Sequence, residues 1–310
     1  MLSDGLWSIG ELAARADVTV KTVRFYTDRG LLPEAGRSSG GHRRYGVEAL
    51  DRLRFIRSLR ALDLPVPEVE RVLDRGGADE ALERAVAGQL REVGSRLLAL
   101  RWKEAALRSL QDCAPDERAE RLRLFGALPS PPSTDALAGF WRRLLPARLP
   151  GRLVTLVLDS VVPLLPEEPV PDHVLAFARL HALVTDPRLG LPGLRPAAPL
   201  PNGTYRPAVL YEGLAEAYAL SSDQVRAGRA PQDGGALDCF VSAYAHACGE
   251  SDTPVFRHRL VALLARDESP VLPRYWKLAT GLFAPGEPAL GALHHHLSVA
   301  LRTEVHGRLP

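Results

Sequence analysis

Residues 7–45 read WSIGELAARADVTVKTVRFYTDRGLLPEAGRSSGGHRRY, and this stretch determines the fold of the N-terminal part of the chain. Ser8 and Glu11 have the spacing of a capping box, in which each side chain bonds the backbone amide of the other residue. Apolar residues then recur at helical spacing. Thr19 is a suitable N-cap for a second short helix, which ends near Arg29. Two short helices joined by a turn of a few residues predict a helix-turn-helix.

The second helix is expected to turn Val20 and Val23 toward the core, which leaves polar side chains and one aromatic ring to project outward. Arginine, lysine and threonine supply the hydrogen bonds that phosphates and base edges accept. The outward set therefore indicates a nucleic-acid contact; its polar members are Lys21, Thr22 and Arg24.

A basic hairpin is predicted next, because residues 38–41 read SSGG and have turn chemistry. A hairpin of this kind forms a wing that suits backbone phosphates, and its arginines are Arg37, Arg43 and Arg44. A third helix is expected over about 47–62 and a short fourth helix over 68–73. These elements complete a winged helix-turn-helix.

The charge of the chain is unevenly distributed. Residues 1–60 contain eleven Lys or Arg against seven Asp or Glu, whereas the whole chain has a formal net charge of only +2. A basic end on a near-neutral chain suggests a polyanionic partner. Lysine occurs only at 21, 103 and 277, so the arginines also fit a composition bias toward arginine. Charge alone is therefore weak support.

Five short motifs in this order resemble the MerR family of regulators. They are IGEL at 9–12, VRFY at 23–26, GLLP at 30–33, RRY at 43–45 and LRFI at 53–56. The resemblance covers residues 7–75 and implies sequence-specific binding to double-stranded promoter DNA. The DNA-binding residues that follow from the motifs and the resemblance are Thr19, Lys21, Thr22, Arg24, Phe25, Tyr26, Arg37, His42, Arg43, Arg44 and Tyr45. For Tyr26 and Tyr45, packing against the core is an open alternative.

A long helix is predicted from 79 to about 112, where no proline interrupts the chain. Its apolar residues form a heptad seam: Val86, Leu90, Val93, Leu97, Leu100 and Leu107. Glu104 occupies the skipped seam position. The pattern alone also fits one amphipathic helix packed on its own domain. The MerR resemblance implies dimerisation through an antiparallel coiled coil, so that two recognition helices face a pseudo-palindromic site.

The remainder, 115–310, is expected to be an all-helical effector domain, which makes the chain mainly α. The predicted domains are a winged helix-turn-helix at 1–75, a dimerisation helix at 76–114 and the effector domain. Helical patterns occur at 116–128, 135–145, 172–184, 207–226, 236–248, 254–266, 270–283 and 288–305. The apolar run at 153–158 fits either a strand or a buried helix.

The motifs of this region predict no enzyme, cofactor or resident metal. It contains no phosphate loop, dinucleotide fingerprint or nucleophile elbow, and no cobalamin ligand loop. Three adjacent histidines at 294–296 cannot converge on one ion, because neighbouring helical residues point about 100° apart. They are expected on a surface helix. Cys113 has no second cysteine nearby for a thiolate metal site, and Cys239 and Cys248 are expected to be small buried residues.

Aromatic residues recur through the effector domain, and such residues usually belong to a core. A helical domain with interior aromatics also opens into ligand pockets. Trp141 and Trp276 are the candidates for a pocket wall.

The sequence therefore predicts a homodimeric transcriptional regulator that senses a hydrophobic or amphipathic small molecule. The resemblance implies a promoter with an overlong spacer, which the liganded dimer distorts so that RNA polymerase reads it. The alternatives are a C-terminal protein-interaction module, an enzyme fused to a DNA-binding domain, and a metal or redox sensor acting through Cys113. A cytoplasmic location without membrane contact is expected, because residues 1–5 lack export features, no apolar run reaches about 20 residues, and the cysteines number three.

Overall fold

The chain folds into two compact units, Met1–Arg96 and Leu97–Pro310, and both are mainly helical as predicted. This structure, a computed structural model, describes residues 5–74, 77–189, 205–230, 234–266, 270–283 and 286–307.

The first unit contains the predicted winged helix-turn-helix. Its elements are α1 (Ile9–Arg15), α2 (Val20–Asp28), β1 (Gly36–Arg37), β2 (Arg43–Arg44), α3 (Val47–Ala61), α4 (Val66–Leu73) and the first part of α5 (Ala78–Gln111). The capping box is confirmed: the Ser8 amide donates to the Glu11 carboxylate at 2.7 Å, and the Glu11 amide donates to Ser8 Oγ at 3.3 Å. The wing is an antiparallel pair with Gly36 opposite Arg44.

Two aspartates end helices in this unit with left-handed backbone. Asp17 has a φ of 53° after α1, and Asp63 has a φ of 61° after α3. Aspartate tolerates this conformation better than most side chains. The fourth helix starts at Val66, two residues before the expected 68, because Pro67 fits the first turn of a helix, where its missing N–H costs nothing.

The core of the first unit is built from the inner faces of α1 to α4 and the start of α5, with Leu12, Val23 and Leu53 fully buried. The prediction that Val20 faces this core was wrong, since its side chain is 40% exposed. The buried face of α2 is formed by Val23, Tyr26 and Thr27, and Val20 lies at its edge in the first helical turn.

The second unit contains the rest of α5 and nine further helices within the described residues. They are α6 (Arg118–Gly126), α7 (Asp135–Leu144), α8 (Gly151–Val161), α9 (Pro171–Thr185), α10 (Pro207–Arg226), α11 (Gly235–Ala247), α12 (Pro254–Arg266), α13 (Val271–Ala279) and α14 (Leu290–Gly307). The ambiguous run at 153–158 lies in α8. The helix expected over 270–283 is shorter, because its last turn is the 3-10 segment Thr280–Leu282.

Two large apolar clusters form the core of the second unit. One joins α7, α9 and α13 to Trp102 of α5, with Phe140, Phe177 and Tyr275 fully buried. The other joins α10, α11, α12 and α14. No helix among the described residues is both long and apolar enough to cross a membrane.

An arginine whose side chain is only 13% exposed connects three helices of the second cluster. The Arg257 guanidinium of α12 donates to Asp252 at 2.6 Å and 2.9 Å, to Asp238 of α11 at 2.6 Å, and to Glu304 of α14. These hydrogen bonds, led by those to Asp252, raise the pKa of Arg257 despite the opposing effect of burial. The guanidinium therefore stays charged and neutralises carboxylates from separate elements.

Candidate nucleic-acid interface and interior cavity

The second helix of the helix-turn-helix presents two free cations. Lys21 and Arg24 are exposed on α2, and neither makes an ion pair with any described residue. The Thr19 side chain accepts from the Thr22 amide at 3.1 Å, and the two hydroxyl oxygens lie 2.9 Å apart. These threonines therefore fix the start of the helix, and Lys21 and Arg24 are the side chains available to a polyanion.

The outward aromatic of α2 is Phe25, which is 43% exposed. The Arg29 guanidinium lies 4.7 Å above the centre of the Phe25 ring and also pairs with Glu70 at 3.1 Å. A cation over an aromatic face is a favourable arrangement, so Arg29 holds this ring in position.

Tyr26 and Tyr45 belong to the core. Tyr26 is buried, and Tyr45 is fully buried. Thr27 Oγ1 donates to the Val23 carbonyl at 2.9 Å, so the hydroxyl of Tyr45, 3.1 Å away, donates to Thr27. A contact between the Tyr45 side chain and DNA is inconsistent with this burial, so that expectation was wrong and the packing alternative holds.

The wing is held to α2 by a pair of carboxylates. Arg43 donates to Asp28 at 2.6 Å and its Nε lies 2.7 Å from Glu34. The hydrogen bond to Asp28, followed by the field of Glu34, raises the pKa of Arg43. Arg37 is largely exposed and lies 3.5 Å from Glu34. Arg43 thus positions the wing as well as adding charge to it.

Two further basic side chains lie on the wing. Arg44 is half-buried without an ion pair among the described residues, and His42 is exposed.

Part of the basic excess at 1–60 has a structural use. Arg52 donates to the carbonyls of Leu31 at 2.8 Å and Leu73 at 3.0 Å. Arg60 donates to the Leu64 carbonyl at 2.6 Å. These guanidinium groups satisfy main-chain acceptors at the ends of loops and helices. The excess of positive charge therefore overstates the number of cations facing a partner.

All six seam residues of α5 are exposed in the single chain, with exposures from 37% at Val86 to 68% at Leu90. The opposite face of the same helix buries Trp102 and Ala105 in the second unit. Packing of α5 within its own chain therefore covers that opposite face, but it leaves the seam residues exposed. A row of apolar side chains in water is unfavourable unless another surface covers it.

A large cavity of about 960 Å³, partly open to solvent, lies in the second unit. Its wall includes both predicted tryptophans, Trp141 and Trp276, whose ring centres are 5.4 Å apart. Gly291 of α14 lies beneath Trp276: a Cβ added at Gly291 would come 2.3 Å from the indole ring. The two rings also pack in the core of the second unit. Core packing and a position in the cavity wall are therefore compatible for Trp141 and Trp276.

Polar groups enter this cavity mainly from α10 and α14. The Tyr218 hydroxyl lies 2.8 Å from His294 Nδ1. Burial, with a smaller effect from His295, lowers the pKa of His294 to about 4. Burial raises the pKa of Tyr205 and of Tyr211 to about 12. These groups are therefore neutral near pH 7 and act as hydrogen-bonding groups.

The expectation of a surface helix around 294–296 was wrong. His296 is buried with its Nε2 3.3 Å from the Gln224 side chain, His294 lines the cavity, and His295 is exposed. The three rings diverge, as their helical spacing requires. No group of three or more His, Cys, Asp or Glu in the described part of the chain is placed to hold a metal ion.

The three cysteines are unpaired. Cys113 is buried with its Sγ 3.3 Å from the Leu110 carbonyl, Cys248 is buried and Cys239 half-buried. Burial raises the pKa of the Cys239 and Cys248 thiols.

Comparison with known proteins identifies the N-terminal region. The sequence profile described as "MerR HTH family regulatory protein" matches residues 7–76. The HTH-type transcriptional regulator ZntR homolog of Haemophilus influenzae is 37% identical over 107 residues, which are 32% of this chain and 79% of that protein. The chain belongs to the MerR family. It is a MerR-type transcriptional regulator with its helix-turn-helix at the N-terminus.

Other MerR-type matches cover different shares of the matched protein. Nodulation protein NolA of a Bradyrhizobium species is 44% identical over 68 residues, which are 22% of this chain and 29% of NolA. The solved structure of the transcription regulator PbrR691 from Ralstonia metallidurans, in complex with lead(II), is 36% identical, covering 35% of this chain and 89% of that one with a TM-score of 0.31. These matches cover about a third of this MerR-family chain or less.

Several residues of the cavity were missed by sequence reasoning. On α14, Gly291, His294, Ser298 and Arg302 line it at helical spacing. Polar residues recurring every three or four positions on an otherwise apolar helix face are the signal that would have located this wall. The Tyr218–His294 pair joins residues 76 positions apart, and no local pattern predicts such a pairing.

Proposed function

We propose that this MerR-type regulator is a homodimer that binds promoter DNA and changes transcription when a small organic molecule enters the cavity of its second unit. The cavity carries the proposal, because its volume of about 960 Å³ lies at the upper end of the range typical of ligand pockets, and its walls are apolar and aromatic. Metal sensing has no comparable support among the described residues.

DNA binding is assigned to α2 and the wing. Lys21 and Arg24 are exposed and unpaired within the described residues, so they are the principal candidates for bases and phosphates, with Thr19 and Thr22 at the helix start. Phe25 supplies an apolar surface beside them. Arg37, His42, Arg43 and Arg44 form the phosphate-facing wing, with Tyr26 and Tyr45 packed beneath.

Dimerisation is assigned to the α5 seam. A second copy of the chain covers the seam in an antiparallel coiled coil and removes its apolar side chains from water. Two-fold symmetry then places two copies of α2 on successive major grooves, about 34 Å apart. The predicted boundaries of the DNA-binding, dimerisation and effector regions at 75 and 114 remain part of this proposal.

The switch acts through the shape of DNA. A ligand shifts the dimer only if it binds the DNA-distorting state more tightly than the other state. Distorting a promoter costs a few kcal/mol, which is within the reach of such a difference. RNA polymerase responds to the altered spacing of its recognition elements, so it is an indirect partner. A C-terminal protein-interaction module needs an apolar surface rather than an interior cavity, and the cavity therefore favours a small ligand.

The DNA assignment is tested by footprinting the purified chain on DNA upstream of its own gene at increasing salt. A symmetric footprint is expected. Arg24→Ala weakens it and lowers the slope of log affinity against log salt by about 1 for each phosphate that Arg24 neutralises. Arg118→Ala, on exposed α6 of the second unit, is the control and leaves the footprint unchanged. Equal effects of both substitutions contradict the assignment of α2.

The dimer is tested by analytical ultracentrifugation of Leu97→Glu and Ser95→Glu. Both positions are exposed on α5, but Ser95 lies on the opposite face from the seam. We expect Leu97→Glu to dissociate the dimer and Ser95→Glu to leave it intact. A dimer that survives Leu97→Glu at micromolar concentration argues against the seam.

The cavity is tested with the neutral fluorescent probe N-phenyl-1-naphthylamine, whose emission rises in apolar surroundings. Saturable binding is expected in the native chain and is weakened in Ser298→Trp, which places an indole ring in the cavity from α14. Thermal unfolding confirms that this variant is folded, and Ser95→Glu is the control. An unchanged affinity in folded Ser298→Trp contradicts the ligand-sensing proposal.

A further inference from the structure

The charged residues around the cavity are all of one sign. Lys277 of α13 and Arg302 of α14 line it, and the described lining contains no aspartate or glutamate. Neither cation makes an ion pair with a described residue. Both side chains are exposed, so they lie where the cavity opens to solvent.

The interior groups do not offset this charge. The tyrosines keep their protons near neutral pH, because burial raises the pKa of Tyr205 and Tyr211 to about 12 and that of Tyr218 further. His294 is neutral, since burial lowers its pKa to about 4. Lys277 and Arg302 therefore carry positive charge in the described lining, and Tyr205, Tyr211, Tyr218 and His294 do not offset it.

The cavity follows α14 for some distance. Gly291 and Arg302, both in the wall, are eleven residues apart, which corresponds to about 16 Å along a helix. Lys277 follows Trp276, the residue that packs on Gly291, whereas Arg302 lies toward the other end of the helix. An aromatic ligand beside Trp141 and Trp276 therefore has a cationic residue toward each end of the cavity, Lys277 at one and Arg302 at the other.

We infer that the effector is an aromatic organic anion, with its rings packed against Trp141 and Trp276 and its acidic group facing Lys277 or Arg302. This inference rests on the proposed ligand-sensing function. A cationic ligand meets two like charges and no carboxylate among the described lining residues, so the same lining selects against it. A sulfonate or carboxylate supplies acceptor oxygens as well as negative charge.

The test compares two probes that share their rings and differ in charge. They are N-phenyl-1-naphthylamine, which is neutral, and 1-anilinonaphthalene-8-sulfonate, the same molecule bearing a sulfonate. Each is titrated against the full-length native chain and against Lys277→Gln/Arg302→Gln. The matched control is Arg118→Gln/Arg123→Gln, which removes the same charge from exposed positions on α6.

The Lys277→Gln/Arg302→Gln variant is expected to bind the sulfonate about ten-fold more weakly and the neutral probe unchanged, since a charge-assisted contact contributes about 1.4 kcal/mol. The control binds both probes like the native chain. Each single substitution identifies which cation meets the sulfonate.

An equal affinity of native chain and variant for the sulfonate overturns the anion assignment, and cavity binding of the neutral probe then leaves the proposed function standing. Failure of the variant to bind either probe also overturns it, because the cations then act on the cavity's shape. If neither probe binds the native cavity, the proposed function fails together with this inference.

Discussion

The Tyr45 hydroxyl lies in the core of the DNA-binding unit and donates to Thr27, 3.1 Å away. Removing it in Tyr45→Phe is expected to lower the free energy of unfolding by about 1 kcal/mol, the net value of one buried hydrogen bond. The affinity for DNA stays unchanged at temperatures where the variant is folded. Denaturant unfolding and DNA titration measure the two quantities.

Arg24→Ala is the matched comparison for Tyr45→Phe, because Arg24 is exposed on the same unit and has no ion pair within the described residues. It is expected to weaken DNA binding and to change unfolding by less than about 0.5 kcal/mol. A Tyr45→Phe protein that is as stable as the native one but binds DNA poorly contradicts this assignment, because Tyr45 then serves DNA binding and not the stability of the core.

His294 makes stability depend on pH. Burial holds its pKa at about 4 in the folded chain, against an ordinary value of 6.5. The unfolded chain therefore binds more protons between these values, so stability falls as pH falls through this window. From pH 7 to pH 5 the loss from this residue is about 2 kcal/mol.

The variant His294→Asn keeps a polar atom near Tyr218 and removes the titration. Its stability is expected to decline less than that of the native chain between pH 7 and pH 5, as measured by urea unfolding. His258→Asn, an exposed histidine on α12, serves as the control. Parallel declines in the native chain and His294→Asn contradict the assignment.

Arg257 joins helices that are far apart in sequence. Replacing it by methionine leaves Asp238, Asp252 and Glu304 facing one another without their shared cation. Breaking a buried ion pair from one side costs about 3–5 kcal/mol. Arg257→Met is therefore expected to lower the free energy of unfolding by about 3 kcal/mol.

Arg259→Met is the control for Arg257→Met on the same helix. Arg259 pairs with Glu250 in a largely exposed position, and an exposed pair contributes about 0–1 kcal/mol. Thermal or urea unfolding of the two variants measures the contrast. Similar losses in both show that the buried cluster adds nothing beyond a surface pair.

Helices with strong end signals were predicted closely from the sequence. The predicted bounds of α10, 207–226, match Pro207–Arg226, and those of α12, 254–266, match Pro254–Arg266. Each begins at a proline, which fits the first turn of a helix and marks its start. The capping box of α1 was visible for the same reason, since its hydrogen bonds link residues three apart.

Features that depend on distant residues were not predictable in this way. The prediction for Val20 failed because helical spacing gives a direction only to within a face, and tertiary packing decides where that face ends. Arg43 was expected only to face DNA, yet its partners Asp28 and Glu34 come from other elements. Trp141 and Trp276 line the cavity, but its polar groups come mainly from α10 and α14, and no local pattern connects those helices to the two tryptophans.

Among the described residues, the core of the first unit shares no residue with either large apolar cluster of the second unit. The core of the first unit contains Leu53 and one cluster of the second contains Leu137, both fully buried. Units with separate cores commonly unfold in separate steps. Leu53→Ala and Leu137→Ala are each expected to cost about 2–5 kcal/mol and to shift a different unfolding transition.

Tryptophan fluorescence distinguishes the two transitions. Trp7 lies in the first unit, whereas Trp102, Trp141 and Trp276 lie in the second, so the signal follows mainly the second unit. Far-UV circular dichroism follows both. Coincident transitions that move together in both variants mean that the chain unfolds as one cooperative body.

The close approach of Trp276 to Gly291 has a consequence for how ligand preference changes over generations. A Cβ at position 291 would lie 2.3 Å from the indole, so one added carbon displaces a wall of the cavity. The glycine codon is one nucleotide away from an alanine codon. A single point mutation at this position thus reshapes the cavity and leaves α2 untouched, which under the proposed function is a short route to a different ligand preference.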